Sequence, residues 1–250
     1  MSVSDTPCRV LAVLPAAGTG SRMKTAVSKQ FLSIDGIPVV ARTFCAFADH
    51  PRVDAIVVVA SAGEEATMRT LCQSFAPARI RAVVTGGATR QESVRRGLEA
   101  AMAEEASPID TSIPTVILIH DGARPFVTAG IIDRCIDGAL EYGVCAAAVP
   151  VKDTVKIVDG SRRVLSTPDR ASLWAVQTPQ AYLLPALRKA LLHADETGFV
   201  GTDDTSLAEA AGIPVRLVEG DYRNIKITTP EDLTVAHALA RARTGQDQTG

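Results

Sequence analysis

The sequence predicts an α/β fold: a Rossmann-like three-layer sandwich with a mostly parallel sheet and an extended β-arm. Three observations carry this expectation. Short apolar runs alternate with segments of helical spacing from Val10 to Val149, the pattern of βα units whose strands are buried on both faces. The first run feeds into Ala16-Ala17-Gly18-Thr19-Gly20-Ser21, a loop with little side-chain bulk, placed where such sheets bind ligands. After Val149 the alternation stops. Pro150–Val158 then alternates polar and apolar residues as far as Asp159-Gly160, a hairpin signal.

Taken in order, Val10–Leu14 is a buried strand bounded by Pro15 and glycines. Pro38–Ala48 has helical spacing with proline in its first turn, where the missing N–H costs little. Ala55–Ala60, AIVVVA, is a strand without a polar face. Glu64–Phe75 is expected as helix, Ile80–Val84 as strand and Gln91–Ala103 as helix. Thr115–Ile119 is strand, Ala129–Tyr142 helix and Cys145–Val149 strand, joined by right-handed crossovers. The ribbon from Pro150 returns through Arg163–Ser166, Asp169-Arg170 and Leu173-Trp174 to Gln177-Thr178-Pro179-Gln180. A two-stranded ribbon is marginal alone in water and needs something to pack on, although a plain surface hairpin reads the same way.

Leu184–Ala194 and about Asp204–Ala211 are helices, the second capped from Thr202-Asp203-Asp204, and Pro214–Val218 is a strand. Tyr222–Thr228 reads as a strand in which Lys226 faces away from Ile225 and Ile227. Thr229-Pro230-Glu231-Asp232 starts the last helix, with Thr229 as N-cap. One domain over 9–242 accounts for these elements, with the arm at about 150–174 inside it. A flexible N-terminus at 1–8 and a polar, flexible tail at 243–250 flank it.

Three loops carry chemistry. The first lets backbone N–H groups approach an anion closely, and the cations Arg22 and Lys29 follow it, which outlines a phosphate site. A tight βα turn would use the same glycines. No Gly-Lys-Ser/Thr follows, so this is not a P-loop, and Met23 stands where a dinucleotide fingerprint needs its third glycine. The second loop, Thr85–Ser93, contains Gly86-Gly87 and is either a turn or a ligand loop. The third, His120-Asp121-Gly122-Ala123-Arg124-Pro125, follows a buried strand. An aspartate there must be capping, paired (Arg124 is one partner within reach) or metal-bound.

Composition narrows the field. A chain of 250 residues suits one domain with a substantial core. A net charge of −2 and a pI of about 6.1 leave no basic footprint for nucleic acid. No apolar run approaches the ~20 residues that span a bilayer, and residues 1–7 do not read as a signal peptide. Cys8, Cys45, Cys72, Cys135 and Cys145 form no C-x-x-C pair and read as reduced core residues of a cytoplasmic protein. His50, His120, His193 and His237 have no zinc-ligand spacing.

Leu14-Pro15-Ala16-Ala17-Gly18-x-Gly20-x-Arg22-Met23, continuing to Lys29-Gln30-Phe31, resembles the signature of nucleotidyltransferases that activate sugar and polyol phosphates. Its Pro-Ala-Ala-Gly form is similar to the 2-C-methyl-D-erythritol 4-phosphate cytidylyltransferases of the non-mevalonate isoprenoid pathway. The resemblance covers residues 9–242 with six separated motifs in the expected order. One departure is Ser28, where many members have proline before the lysine. The resemblance implies a reaction of CTP with 2-C-methyl-D-erythritol 4-phosphate, giving 4-diphosphocytidyl-2-C-methyl-D-erythritol and pyrophosphate. It implies Pro15, Ala16, Ala17, Gly18, Gly20, Gly87 and Ser93 around CTP, and Arg22 and Lys29 as catalytic cations. Arg170 and Lys226 would orient the acceptor phosphate, with Asp121, Arg124, Thr154, Thr178 and Thr202 contacting the polyol or its phosphate. Mg²⁺ or another divalent cation is the expected cofactor, met by Asp121 directly or through water. The arm would embrace a second subunit, making a homodimer.

Other readings stay open. A ribitol 5-phosphate cytidylyltransferase, or another sugar-phosphate nucleotidyltransferase, lies nearest. Pro15-Ala16-Ala17, Pro150 with Asp153-Thr154, and Asp169-Arg170 with Leu173-Trp174 match the methylerythritol branch more closely. A non-catalytic nucleotide-binding regulator would tolerate loss of Arg22, Lys29, Arg170 or Lys226, and all are present. An NAD-dependent oxidoreductase would need a ribose-binding acid after the second strand, where Ala60-Ser61-Ala62-Gly63 stands instead.

Overall fold

The computed structural model describes residues 6–18, 28–103 and 113–246. Gly20 and Arg22 lie outside the described residues, as do positions 1–5 and 247–250 of the ends expected to be flexible. Strand β1 (Arg9–Ala16) runs through the middle of a seven-stranded sheet, because Val10 to Leu14 are all apolar and neither face can meet water. It pairs in parallel with β4 (Ala55–Ala60) on one side and β6 (Thr115–Ile119) on the other, and β5 (Ile80–Thr85) forms the edge beyond β4. Past β6 come β10 (Trp174–Leu183), β7 (Val144–Pro150) and β11 (Arg216–Glu219). β10 is antiparallel to both of its neighbours, and β11 runs parallel to β7.

Helices cover both faces, as the alternation requires. Val10, Ala12 and Leu14 pack with Phe44 and Phe47 of α1 (Val39–Ala48), Met68 of α2 (Glu65–Phe75) and Ile132 of α4 (Ala129–Tyr142). Leu11 and Val13 face the other way, toward Leu98 of α3 (Arg90–Ala103), Leu187 of α5 (Leu184–Thr197) and Leu207 of α6 (Thr205–Ala210). A strand's period of two sorts one apolar run into two cores. A third, smaller cluster joins α7 (Pro230–Gln246) to Ile34, Val39, Phe126 and Ile227. Ile34 comes from a short hairpin, β2 (Ser33–Ile34) with β3 (Ile37–Pro38).

Several elements differ from the sequence reading. β10 sits between β6 and β7 in the sheet and contains Gln177-Thr178-Pro179-Gln180, a run to which the sequence assigns no element and in which proline removes a ladder donor. The register slips between Val176 and Gln180, which takes the polar run out of the regular ladder. Tyr222–Thr228 is not a strand; it crosses the sheet ends as an irregular segment held by Asn224 N–H to Asp221 O (2.9 Å) and Ile227 N–H to Ala123 O (2.8 Å). Pro38 closes β3 and caps α1 from outside its first turn. The last helix starts at Pro230 with Thr229 at its N-cap, as expected, and the Asp232 carboxylate reaches back to accept from the N–H groups of Thr228 and Thr229 (2.7 and 2.8 Å). That helix continues to Gln246, past the expected boundary at 242.

The arm leaves the sheet where Trp174 pairs with Pro150, and its outer hairpin is β8 (Ile157–Val158) with β9 (Val164–Ser166). Residues 151–156 carry no regular strand, despite their alternating pattern. The turn also differs: Asp159 Oδ1 accepts from Ser161 and Arg163 N–H (2.9 and 3.0 Å), and the positive φ falls on Arg162 rather than Gly160.

Helix α3 lies unusually close to the sheet. A Cβ at Gly97 would stand 2.5 Å from Val13 Cγ1 and 2.8 Å from Val59 Cγ2. Gly97→Val is therefore expected to lower the unfolding free energy by about 1–3 kcal/mol through overpacking, read as a lower urea midpoint. An unchanged midpoint would mean that the helix can back away without loss.

Candidate active site

The three suspect loops meet beyond the carboxyl ends of β1, β5 and β6. Together they line one pocket: Pro15 to Gly18 from the first, Gly87 to Arg90 and Ser93 from the second, and Asp121 to Ala123 from the third. Lys29, Gln30 and Lys226 complete its wall. Glycine is needed at two contact points. A Cβ on Gly86 would lie 2.5 Å from Ala17 Cβ, and one on Gly122 would lie 2.9 Å from Ala16 Cβ. Small residues thus let the second and third loops close against the first.

Lys29 sits in a 3-10 turn, Lys29–Phe31, where a Cβ added at Gly18 would come 3.9 Å from its Cε. The turn is anchored by Glu64, whose carboxylate accepts from Gln30 Nε2 (2.8 Å) and from the Ser28 hydroxyl. Ser28 has φ −58°, the value a proline would impose. A hydrogen bond to Glu64 here stands in for the missing ring. Neither Glu64 nor Gln30 was legible as a site residue, because their pairing depends on the fold.

The second loop is closed by a capping box absent from the sequence reading, although its Thr-x-x-Glu signal was available. Thr89 Oγ1 accepts from Glu92 N–H (3.1 Å), and the Glu92 carboxylate accepts from Ala88 N–H (2.6 Å). Ser93 is buried; its hydroxyl accepts from Gly87 N–H (3.1 Å) and donates to Thr89 O (2.9 Å). Its immediate role is to shape the loop that carries Gly87.

Asp121 is the single carboxylate on the pocket wall among the described residues. Lys226 Nζ stands 2.8 Å from its Oδ2, Arg124 Nε 3.6 Å from the same oxygen, and Arg90 Nη2 3.2 Å from Oδ1. Burial pushes its acidity down, but Arg90, Lys226 and Arg124 outweigh that and hold its pKa below the usual carboxylate range. Arg124 was one expected partner; Arg90 was not singled out in the sequence. Among the described residues no three His, Cys, Asp or Glu side chains gather into a metal cage. One carboxylate beside a pocket lined by Lys29 and Lys226 would suit Mg²⁺ held mainly by substrate oxygens. With cations on both its oxygens, Asp121 fits contact through water.

Thr178 stands beneath this cluster rather than in the pocket. Its Oγ1 accepts from Asp121 N–H (3.1 Å) and bonds His120 Nδ1 (2.9 Å). Arg124 is also behind the wall, donating to Asn224 O (2.7 Å). Thr202 is exposed on the loop before α6. Thr154 and Arg170 are exposed on the arm and do not line this pocket; Arg170 Nη1 donates to Lys152 O (2.9 Å).

A model of the family described as 2-C-methyl-D-erythritol 4-phosphate cytidylyltransferase (IspD) matches residues 10–242. The chain belongs to this family. An IspD relative of that name from Bacillus velezensis is 47% identical, covering 93% of this chain and 96% of its own. The crystal structure of 4-diphosphocytidyl-2C-methyl-D-erythritol synthase from Anaerococcus prevotii superposes with a TM-score of 0.79 at 30% identity, covering 94% of this chain and 96% of that one. The cytidylyltransferase from Thermus thermophilus gives 0.72 at 35% identity, covering 93% and 99%. As an IspD chain the protein is an enzyme, a nucleotidyltransferase. No described helix is long and apolar enough to cross a membrane.

Two buried groups behind the pocket wall, His120 next to Asp121 and Asp204 paired with Arg90, have pKa values shifted in opposite senses. Burial lowers the His120 pKa from 6.5 to about 4. Between those values the unfolded chain takes up a proton that the folded one refuses, so His120 makes stability fall on acidification. Burial raises Asp204 from 3.8 to about 6, against the pull of Arg90. There the folded chain takes the proton first, so Asp204 adds stability as pH falls from about 6 to about 4. Asp204→Asn should therefore lose stability more steeply than wild type over that window, measured by urea midpoints. Parallel pH curves would rule out a protonated Asp204.

Proposed function

We propose a division of labour for joining CTP to 2-C-methyl-D-erythritol 4-phosphate with release of pyrophosphate. Pro15 to Gly18, Gly20, Gly87 and Ser93 seat CTP; Arg22 and Lys29 bear on its phosphates; Arg170 and Lys226 orient the acceptor phosphate. The observation that carries this reading is the meeting of the Ala-Ala-Gly loop, Lys29, Asp121 and Lys226 in one pocket of an IspD chain. Backbone carbonyls of the loop around Gly87 would suit cytosine, whose exocyclic amine needs acceptors.

The chemistry asks for charge and alignment rather than a base. A phosphate monoester has a second pKa near ~6 and is already mostly dianionic at neutral pH. Its oxygen attacks the α-phosphorus of CTP, the bond from that phosphorus to the bridging oxygen breaks, and pyrophosphate leaves with the electron pair. Preorganised cations lower the barrier by meeting charge that grows on the leaving group. Lys29, which lines the pocket beside the first loop, is assigned that role together with Arg22, and Lys226 would hold the second anion against its repulsion. Magnesium, bound by the triphosphate and by Asp121 through water, would neutralise further charge. Arg124, Thr154, Thr178 and Thr202 serve the acceptor side, Thr178 and Arg124 by positioning Asp121.

Pyrophosphate release from CTP and Mg²⁺ with methylerythritol phosphate, against ribitol 5-phosphate, tests the assignment; preference for ribitol phosphate would overturn it. Lys29→Met should fold and bind CTP yet lose about 10²–10³-fold in turnover. Near-normal turnover with a raised KM for CTP would reduce Lys29 to a binding residue.

The arm is read as the arm of a homodimer. Val155, Ile157, Val158, Val164 and Leu165 are apolar and exposed along it, more than a free ribbon should show. A second copy would cover them and receive Arg170 into its site. Arg22→Ala and Arg170→Ala homodimers should each be nearly inactive. Randomly co-folded mixtures should recover to about a quarter of wild type, since about half the dimers are mixed and each mixed dimer has one intact site of its two. No recovery in demonstrably mixed dimers would place Arg170 in its own subunit's site.

A further inference from the structure

We propose that Arg90 is a positioning residue that straps the loop carrying Thr202 to the loop carrying Gly87. Arg90 opens α3, directly after the Gly86–Thr89 turn. Its guanidinium is spent on protein: Nη1 pairs with Asp204 Oδ1, while Nη2 and Nε reach Asp121 Oδ1 at 3.2 and 3.4 Å. Asp204 is 3% exposed, and its other oxygen has no hydrogen-bond partner among the described residues. Arg90 is the cation that compensates this buried acid.

The neighbouring residue does the same job on the backbone. Gln91 Oε1 accepts from Gly201 N–H and Gln91 Nε2 donates to Phe199 O, each at 3.4 Å. Thr202 therefore lies between a backbone splint at Gly201 and a charge anchor at Asp204. A third hold comes from the sheet, where Gln180 Nε2 donates to Asp203 Oδ2 (2.8 Å). The start of α3 thus fixes both the nucleotide loop, through Thr89, Glu92 and Ser93, and the segment 198–204. Alignment of two anions needs both loops in one frame, and a shift of about 1 Å can cost about 10²-fold. This inference rests on the reading that Thr202 serves the acceptor.

The test uses the full chain and the variants Arg90→Met, Arg90→Lys and Gln91→Ala. Amide hydrogen exchange over residues 198–204 is measured without substrates, CTP binding by calorimetry, and KM and kcat by pyrophosphate release. Arg90→Met is expected to speed loop exchange and raise the acceptor KM about tenfold or more, with CTP affinity kept within about threefold. Arg90→Lys should recover part of both effects, because it restores a cation without the two-sided fork. Gln91→Ala should change exchange and KM in the same direction by less. Equal loss of CTP and acceptor binding would make Arg90 a nucleotide ligand and overturn the strap. So would unchanged loop exchange. If Arg90→Met fails to fold, Gln91→Ala decides, and wild-type exchange with wild-type acceptor KM there overturns the proposal. If the wild-type protein releases no pyrophosphate with either acceptor, the reaction assignment fails while exchange still judges the strap.

Discussion

Burying an ionised carboxylate is costly unless cations and donors replace its hydration, and removing one partner leaves the penalty standing. Asp121 meets that condition with Arg90, Arg124 and Lys226, drawn from the start of α3, its own loop and the irregular segment before α7. Electrostatic balance at this atom therefore dictates where three chain segments must sit. The convergence of these cations beside the pocket follows from satisfying it. A pocket walled by cations around one paired acid has a positive surplus, which an incoming triphosphate and monoester can use.

The polar run of β10 supplies the wiring. Gln177 Nε2 donates to Asp221 O (2.9 Å), Thr178 carries Asp121 and His120, and Gln180 grips Asp203 and the N–H of Thr205. Asn224 closes the circuit by donating to Thr178 O (2.8 Å). These side chains are nearly fully buried, where each unmet donor would be expensive, so the network holds one arrangement. A strand that looks broken as sequence is the part that gathers the site.

Legibility followed range. The runs of β1, β4 and β6 announced buried strands because burial on both faces demands apolar residues at every position, and the glycines announced close approach. Helices α2, α3 and α4 came within a residue of their expected limits. β10 was hidden because its residues answer to distant partners rather than to strand propensity. Arg90 was hidden for the same reason: nothing near it in sequence says that Asp204 is buried beneath it. Arg22 belongs to the legible loop, but it lies outside the described residues. The last segment was half legible: Lys226 does turn away from Ile227, yet it does so from an irregular segment rather than from a strand.

The sheet order has a consequence for biogenesis. β6 and β7 are successive strands of the chain, but in the finished sheet β10, made later, lies between them. Material made early, including both glycine loops, therefore waits with an open seam along β6, and that seam is a hazard for aberrant pairing. Lys226 follows β10, so the last charge of the cluster arrives only after the seam has closed. A chain that ends before β10 has an unfinished sheet, and its Asp121 lacks the Lys226 partner. The sheet's last internal strand and the last cation at Asp121 thus both come from the final third of the chain.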